Sequence, residues 1–399
     1  MSIPFSKTCS KLLLLWLCFT ALLCYCQIHN NWESIEEFAL NKVLQDAAPI
    51  FGDYKPKNSI NSRWMAKYPD ETMLVHMNLP GTHDSQTWNY SSDTQKSLKP
   101  VTRLGGMLVA PAKFYRCQEI SLLCMLEQGI RVLDLRIALD VTGSSLVFWH
   151  AQALQSQTAT LESVLFAFYK WLDDHPSETI MISLKYEGLT TIFGRNKSPF
   201  QKALYEALTS PTARRYFLPI KNDLGTLGSA RGKIILLRRF ELNMLPSHER
   251  DSIPGVLFPP SEWEKNGHNF TIIYNRTKNH VARIQDHFHL SGKRRFGVSI
   301  QEAITLKFDI IKRHLEKAMI SHNDDLIWSF TSAEKNLNIP PLYPKVIAFG
   351  DEKNIGVNHM MTKFFQDLKG TNSRLGIVMF DFSDTPGEMV KSFLEIQSP

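Results

Sequence analysis

Short runs of β-branched and aromatic residues alternate along this chain with longer segments in which apolar residues recur every three to four positions. The short runs have the length of strands, and the spacing in the longer segments is that of helices with one buried face. Alternation of about eight strands with helices is typical of a parallel sheet that closes into a barrel. We therefore predict an α/β protein, a TIM-type (β/α)8 barrel with distortions, in a single domain.

The strand runs and the helical periodicity can be located in the sequence. The predicted strands are Met73–Leu79, Ile130–Ile137, Leu146–His150, Thr179–Tyr186, Lys233–Arg239, Val281–Asp286, Leu326–Phe330 and Gly376–Phe382. The clearest helical periodicity covers Leu161–Asp173, Pro199–Tyr216, Ile300–Ile320 and Val357–Leu368. No change in composition divides the chain after residue 70, so we assign 71–399 to the barrel and 27–70 to an N-terminal extension.

The first residues have the pattern of an export signal. Lys7 and Lys11 precede an apolar run over Leu12–Leu23, and a polar segment follows it. A membrane-spanning helix needs roughly 20 apolar residues, so this run is too short for one. We predict a signal peptide over 1–26, cleaved near Cys26, and a secreted protein; an uncleaved anchor is the alternative.

Charge narrows the choice of partners. The net charge is +6, and the sequence contains neither a long basic tract nor a stripe of Arg and aromatic residues. A nucleic-acid partner is therefore not expected. Mild basicity suits transient contact with an anionic membrane surface, although an ordinary soluble surface has the same composition. We expect a monomer.

Export would bring two further consequences. Cys117 and Cys124 remain after cleavage, and on one continuous helix their Cα atoms would be roughly 10 Å apart, too far for a disulfide. Either Cys117 precedes the helix and the bridge forms, or both thiols are buried and free. N-glycosylation is expected at some of the Asn-x-Ser/Thr sites, which are Asn89, Asn196, Asn269 and Asn275.

Ionisable residues recur where the predicted strands end. His83 follows the first strand after Pro80 and Gly81, and Asp134 and Arg136 alternate on one face of the second. The others are His150, Lys185, Glu187, Arg239, Asp286 and Asp381. Each residue alone could be structural, since buried charges need partners. Because active sites of such barrels lie at the carboxyl ends of the strands, the full set indicates an active site for phosphoryl chemistry.

Seven segments together resemble one enzyme family. They are PGTHDS (80–85), GIRVLDLR (129–136), WH (149–150), SETIMISLKYE (177–187), RGKIILLRR (231–239), IQD (284–286) and GIVMFDF (376–382). In this order they resemble the phosphatidylinositol-specific phospholipase C X-domain family. The likeness covers roughly residues 70–385 and is closer to the bacterial and secreted fungal members than to the large cytosolic enzymes.

The resemblance implies a reaction and its acid and base. Members of this family cleave phosphatidylinositol to diacylglycerol and inositol 1,2-cyclic phosphate, by attack of the inositol 2-hydroxyl on phosphorus. By resemblance His83 is the general base, oriented by Asp381. His150 is the general acid, supported by Asp84. Imidazole is suited to both roles near neutral pH.

The resemblance also implies the other site residues. Arg136 would bind the phosphate oxygens, with Asp134 in a supporting role, and its fixed charge would replace the Ca²⁺ of the cytosolic relatives. We therefore predict no metal and no cofactor, and we weigh His287 and His289 as surface residues rather than a metal pair. The inositol ring would be held by Lys185, Glu187, Arg239, Asp286 and Trp263. Phe288 stands where bacterial members tend to have Tyr.

Two alternatives remain. The same fold could act on glycosylated phosphatidylinositol anchors or on another phosphodiester. It could also be an inactive barrel that binds inositol lipids or glycans, although the presence of both His83 and His150 argues against this, because a binding module needs no acid and base.

Overall fold

The computed structural model describes residues 35–56, 59–104, 108–187, 194–290, 297–320 and 324–399. The predicted signal peptide and its cleavage site lie outside these ranges. Within them, no helix combines the length and the apolar character needed to cross a bilayer.

The strands form a nearly closed barrel. They are β1 (Leu79–Thr82), β2 (Val132–Leu139), β3 (Leu146–His150), β4 (Ala153–Leu154), β5 (Ile180–Tyr186), β6 (Ile234–Arg239), β7 (Val256–Leu257), β8 (Phe270–Asn275), β9 (His280–Gln285), β10 (Leu326–Phe330) and β11 (Ile377–Phe380). The order around the sheet is β7-β6-β5-β2-β1-β11-β10-β9-β8, and β3 and β4 extend from β2. All neighbours from β7 to β9 are parallel, and β8 is antiparallel to β9. The predicted single-domain α/β barrel is confirmed.

Helices cover the outside of the barrel. They are α1 (35–51), α2 (Ser92–Leu104), α3 (Leu122–Gln128), α4 (Leu161–Asp174), α5 (Ser198–Thr209), α6 (Pro211–Tyr216), α7 (Leu227–Ala230), α8 (Ser247–Ser252), α9 (Ile300–Met319), α10 (Pro344–Phe349), α11 (Val357–Asp367) and α12 (Met389–Leu394). Short 3₁₀ segments span Ile60–Lys67, Leu74–His76, Ser85–Thr87 and Ala112–Phe114. Helix α1 packs into the outer core through Leu44, Ala47, Ile50 and Phe51.

Alternation along the strands separates two cores. On β5, Ile182 and Leu184 pack with the surrounding helices, whereas Met181 belongs to the barrel interior. The same two-residue period turns Ser183 and Lys185 inward. Interior packing is close at Gly81, where an added Cβ would lie 2.4 Å from the sulfur of Met379. The strand faces thus fix which side chains reach the mouth of the barrel.

Two predicted elements were wrong. Met73–Leu79 is not a strand, because Leu74–His76 forms a 3₁₀ turn and β1 begins only at Leu79. Leu74 and Val75 are buried by packing against the interior core, so an apolar run alone could not reveal the turn. The helix over Pro199–Tyr216 is divided at Ser210, whose extended backbone precedes Pro211 and whose hydroxyl caps α6.

The cysteines are not bridged. Cys117 precedes α3, as the disulfide alternative required, yet both Cys117 and Cys124 are free thiols. Cys117 is buried and Cys124 is exposed on α3. The bridge is therefore contradicted, and burial is correct for only one of the two thiols.

Candidate active site

His83 and Asp381 meet between the first and last strands of the barrel. The His83 amide donates a hydrogen bond to the carbonyl of Phe380 (2.9 Å), which continues the pairing of β1 with β11. Each side chain follows its strand directly, and the Nδ1 atom of His83 lies 2.9 Å from Oδ1 of Asp381. Asp381 therefore fixes the orientation of the imidazole and leaves Nε2 facing the cavity.

His150 ends β3 on the other side of the mouth. Its Nδ1 lies 2.8 Å from the carbonyl oxygen of Tyr115, so Nδ1–H donates to the backbone. Its Nε2 lies 3.3 Å from Oδ2 of Asp84. This Nε2 is therefore the atom of His150 that can exchange a proton inside the cavity.

Asp84 is shared between the two histidines. The same Oδ2 that faces His150 lies 3.3 Å from Nε2 of His83, and Oδ1 pairs with the guanidinium of Arg136. Asp84 is completely buried. The resemblance assigned it to His150 alone, but its position couples both imidazoles to one carboxylate.

The backbone is left-handed at the residue that directly follows each of His83, His150 and Asp381. Asp84 follows His83 with φ 44°, Ala151 follows His150 with φ 48°, and Phe382 follows Asp381 with φ 49°. Residues other than glycine rarely adopt this conformation, and it persists only where the surrounding structure holds it. Each strand end therefore turns sharply just beyond the side chain that it presents.

Arg136 reaches His83 from β2. Its Nη2 lies 2.7 Å from Nε2 of His83. A guanidinium can only donate, so this contact requires a lone pair on Nε2 and a neutral imidazole with its proton on Nδ1. A neutral imidazole with its proton on Nδ1, directed at Asp381, fits this contact.

Asp134 pairs with Arg136 and is itself held by several polar groups. Its Oδ1 accepts hydrogen bonds from the hydroxyl of Ser183 (2.9 Å) and from Nη1 of Arg239 (3.2 Å). Its backbone amide donates to the hydroxyl of Ser85 (3.0 Å). Neither serine was predicted as a site residue from the sequence. Strand periodicity could have identified Ser183, since it lies two positions before Lys185 on the inward face of β5.

The charges in the cluster shift its pKa values in opposite directions. Burial alone would lower the pKa of His83, but the carboxylates of Asp84 and Asp381 outweigh it, so the pKa is raised. Burial dominates at His150, and its pKa is lowered. Burial opposes ionisation of Asp84, yet Arg136 holds the pKa of that carboxyl below its usual value. Asp84 is therefore an anion next to both imidazoles.

The far wall of the site carries the predicted ring-binding residues. The guanidinium of Arg239 lies 3.6 Å above the ring of Trp263, whose indole N–H donates to Oδ2 of Asp286 (2.8 Å). Nζ of Lys185 lies 3.8 Å from Oε2 of Glu187. Cationic and anionic groups thus alternate beside an aromatic face, which suits a ligand rich in hydroxyl groups.

These walls enclose one cavity of about 550 Å³ at the carboxyl ends of the strands. Seven of the eleven predicted site residues line it: His83, Arg136, His150, Lys185, Arg239, Asp286 and Asp381. Asp84, Asp134 and Glu187 support them through ion pairs with Arg136. Trp263 lines an adjoining cavity of about 380 Å³, and Phe288 lines both. The structure brings all eleven residues together.

Other groups that support the site gave no signal in the sequence. The amide of Gln118 donates to the carbonyls of His83 and Phe380, each at 2.8 Å. Cys117 lines the cavity, and its sulfur lies 4.0 Å from Oδ2 of Asp84. Both come from irregular chain before α3. His287 and His289 contact different partners, the carbonyl of Asn266 and the carboxylate of Glu334.

Comparison with protein families identifies the central part of the chain. Residues 108–240 match the family model for the phosphatidylinositol-specific phospholipase C X domain. The resemblance predicted from the sequence motifs is therefore confirmed.

Two relatives are about a third identical to this chain over the stretches that align. A 1-phosphatidylinositol phosphodiesterase of Listeria monocytogenes is 32% identical over 184 residues, which are 45% of this chain and 50% of that protein. A PI-PLC X domain-containing protein 1 of Danio rerio is 31% identical over 138 residues, 32% of this chain and 44% of the relative. The matches span about half the length of these relatives.

Solved structures share the fold over more of the chain. A phosphatidylinositol-specific phospholipase C of Staphylococcus aureus superposes with a TM-score of 0.63 at 19% identity, covering 85% of this chain and 98% of the other. The Listeria monocytogenes enzyme gives a TM-score of 0.57 at 23% identity, covering 85% and 99%. These likenesses establish a common barrel.

Proposed function

We propose that this chain, whose residues 108–240 match a phospholipase C X domain, cleaves phosphatidylinositol to diacylglycerol and inositol 1,2-cyclic phosphate. One observation carries the proposal: the Nε2 atoms of His83 and His150 both lie 3.3 Å from the same oxygen of Asp84, and Arg136 pairs with the other oxygen of that carboxylate. An acid, a base and a phosphate-binding cation thus face one cavity. This is the set that an intramolecular attack on a phosphodiester needs.

His83 would act as the base. Nε2 accepts the proton of the inositol 2-hydroxyl while the hydroxyl oxygen forms its bond to phosphorus. The imidazolium that results is stabilised through Nδ1–H by the Asp381 carboxylate, 2.9 Å away. Arg136 moves from Nε2 to the phosphate oxygens, where its planar donors balance the developing charge.

His150 would act as the acid. Its protonated Nε2 gives the proton to the glycerol oxygen as the bond from that oxygen to phosphorus breaks, so diacylglycerol leaves as a neutral alcohol. The carbonyl of Tyr115 keeps Nδ1–H in place throughout. Each imidazole ends with the protonation state in which the other began.

The far wall would hold the inositol ring. Lys185 and Arg239 can donate to the ring hydroxyls, and Asp286 can accept from them. The indole N–H of Trp263 fixes the Asp286 carboxylate from behind. This wall lies across the cavity from the histidines and supports binding rather than proton transfer.

The reaction is proposed to need no metal ion. Arg136 pairs with the carboxylates of Asp84, Asp134 and Glu187, so a fixed cation already lies among the groups that could hold Ca²⁺. Burial lowers the pKa of this guanidinium, but Asp84 and the other carboxylates outweigh that effect and raise it. Arg136 therefore stays charged at every pH of interest.

The mouth of the cavity supports contact with a membrane. Leu108, Leu337 and Ile339 are 97%, 74% and 78% exposed. They lie within three residues of Ala110 and Asn336, which line the cavity. Exposed leucine and isoleucine at the entrance suit shallow insertion beside a lipid headgroup.

We further propose that the protein is secreted, N-glycosylated and monomeric.

The adjoining cavity favours a second class of substrate. It shares Lys185, Arg239, Asp286 and Phe288 with the main site and continues past Trp263. A substituent on the inositol ring, such as the glycan of a phosphatidylinositol anchor, would have room there. Cleavage of such an anchor can be assayed alongside phosphatidylinositol.

The test uses phosphatidylinositol vesicles in excess chelator, with phosphorus NMR to follow inositol cyclic phosphate. We expect the cyclic phosphate to accumulate. A folded protein without turnover, with or without Ca²⁺, would contradict the enzyme proposal. Turnover that appears only when Ca²⁺ is added would contradict metal independence alone.

A further inference from the structure

The catalytic cavity contains a set of metal-binding atoms that the proposed reaction does not use together. His83, Asp84 and Cys117 each offer a nitrogen, oxygen or sulfur atom, and these atoms all lie within 4.8 Å of one another. Nε2 of His83 is 3.3 Å from Oδ2 of Asp84, and the sulfur of Cys117 is 4.0 Å from the same oxygen. Acid and base catalysis needs His83 and Asp84, but it gives no role to Cys117.

Two of the three separations are close to those around a small tetrahedral ion, and the third, between His83 and Cys117, is at most 4.8 Å. Zn²⁺ binds nitrogen and oxygen at about 2.0–2.2 Å and sulfur at about 2.3 Å, so its ligand atoms lie roughly 3.3–3.7 Å apart. The 3.3 Å pair already has this spacing, and the 4.0 Å pair needs a small inward movement. The donor set combines imidazole, carboxylate and thiolate, which Zn²⁺ accepts and Ca²⁺ and Mg²⁺ do not.

We propose that His83, Asp84 and Cys117 form an inhibitory site for Zn²⁺ and similar thiophilic divalent cations. The inference rests on the proposed function for its activity assay, but the binding itself does not depend on turnover. The cation would take Nε2 of His83, the atom that must accept the substrate proton. Occupation of the site and catalysis therefore exclude one another.

Arg136 sets how the cation enters. Its guanidinium contacts both Nε2 of His83 and Oδ1 of Asp84, so it must move away before a cation can bind. The substrate phosphate requires the same movement of Arg136 toward the mouth. Because substrate and cation would compete for His83 and Asp84, inhibition should weaken as the lipid concentration rises. The thiol proton of Cys117 would be released to solvent when the metal–sulfur bond forms.

Two cysteine variants test the site through activity. Cys117→Ser removes the soft donor and keeps its size, while Cys124→Ser changes an exposed thiol on α3. Inhibition of each variant is measured relative to its own turnover of phosphatidylinositol in chelator, so a change in basal activity does not affect the comparison. We expect the Zn²⁺ concentration for half-inhibition to rise at least tenfold in Cys117→Ser and to stay unchanged in Cys124→Ser. Ca²⁺ and Mg²⁺ should not inhibit the unaltered protein.

A spectroscopic measurement tests the site without activity. Co²⁺ bound to a thiolate gives a charge-transfer band in the near ultraviolet. We expect this band in the unaltered protein and in Cys124→Ser, its loss in Cys117→Ser, and its displacement by Zn²⁺. If Cys117→Ser is poorly folded by circular dichroism, Cys117→Ala replaces it in both measurements.

The outcomes separate the two proposals. A Co²⁺–thiolate band that depends on Cys117 in a protein without turnover would support the metal site and contradict the proposed function. Equal Zn²⁺ inhibition of the unaltered protein and Cys117→Ser would overturn the metal site. A near-ultraviolet band that persists in Cys117→Ser, or is lost in Cys124→Ser, would overturn it as well.

Discussion

Nδ1 of His83 lies 2.9 Å from Oδ1 of Asp381, although 298 positions separate the two residues in the chain. Parallel pairing of β1 with β11 brings their carboxyl ends side by side. The carboxylate thereby holds the proton on Nδ1 and presents Nε2 to the substrate. The same contact therefore orients the imidazole of the proposed base and helps to raise its pKa.

Replacing Asp381 by Asn should therefore change two measurements. Burial opposes protonation of His83, and with the Asp381 charge gone only Asp84 would raise its pKa, so the pKa falls. The acid limb of the pH profile should move to lower pH, because the base becomes neutral at lower pH. Turnover should drop roughly a hundredfold or more, since the imidazole loses its fixed tautomer. Asp384→Asn, in the same loop, should change neither; an unmoved acid limb in Asp381→Asn would contradict the assignment.

The two histidines should be needed to a similar degree. His83→Ala and His150→Ala should each lower turnover of phosphatidylinositol by at least about a hundredfold, the scale of acid or base catalysis. His248→Ala is a suitable control, because His248 is exposed on α8 outside the cavity. Near-normal rates in either cavity variant would refute the role given to that histidine.

Substrate binding should shift the alkaline limb of the pH profile. The pKa of His150 is lowered in the free protein because burial disfavours the charged imidazolium. A phosphodiester anion beside Nε2 stabilises the imidazolium and raises that pKa. The alkaline limb of kcat should then lie at higher pH than that of kcat/KM, since kcat reports the bound state. Coinciding limbs would show that the phosphate does not reach His150.

Trp263 should act on binding rather than on chemistry. Trp263→Phe keeps an aromatic face below Arg239 and removes the N–H that donates to Asp286 (2.8 Å). Loss of a hydrogen bond to a charged group costs roughly 1.5–3 kcal/mol, so KM should rise about tenfold or more with little change in kcat. A fall in kcat at constant KM would place Trp263 with the reacting groups instead.

Exposed apolar residues at the mouth should contribute to vesicle binding. Leu337→Ser and Ile339→Ser should weaken sedimentation with phosphatidylinositol vesicles, because less apolar area enters the lipid. Their turnover of a short-chain soluble substrate should stay unchanged. Ile60→Ser provides a matched control, since Ile60 is 77% exposed and lies in the 3₁₀ segment that contacts Arg131 at the amino end of β2. Equal losses in all three variants would exclude a specific docking face.

The sequence predicted the parts of the site that follow from strand periodicity. Asp134 and Arg136 face the same way because they are two apart on β2, and Asp381 reaches the mouth because β11 ends there. The same logic could not find Gln118 or the carbonyl of Tyr115, since they come from irregular chain whose path depends on tertiary packing. The sharing of Asp84 between two imidazoles also depends on a left-handed residue that no pattern indicated.

The adjacency of the first and last barrel strands determines when the site can form during synthesis. His83 is synthesised early, but Asp381, which contacts its imidazole, is added to the chain 298 positions later. During most of synthesis the chain would carry both histidines, Asp84 and Arg136 without the Asp381 carboxylate that orients the proposed base. The oriented form of His83 therefore arises only when nearly all of the sequence has been translated.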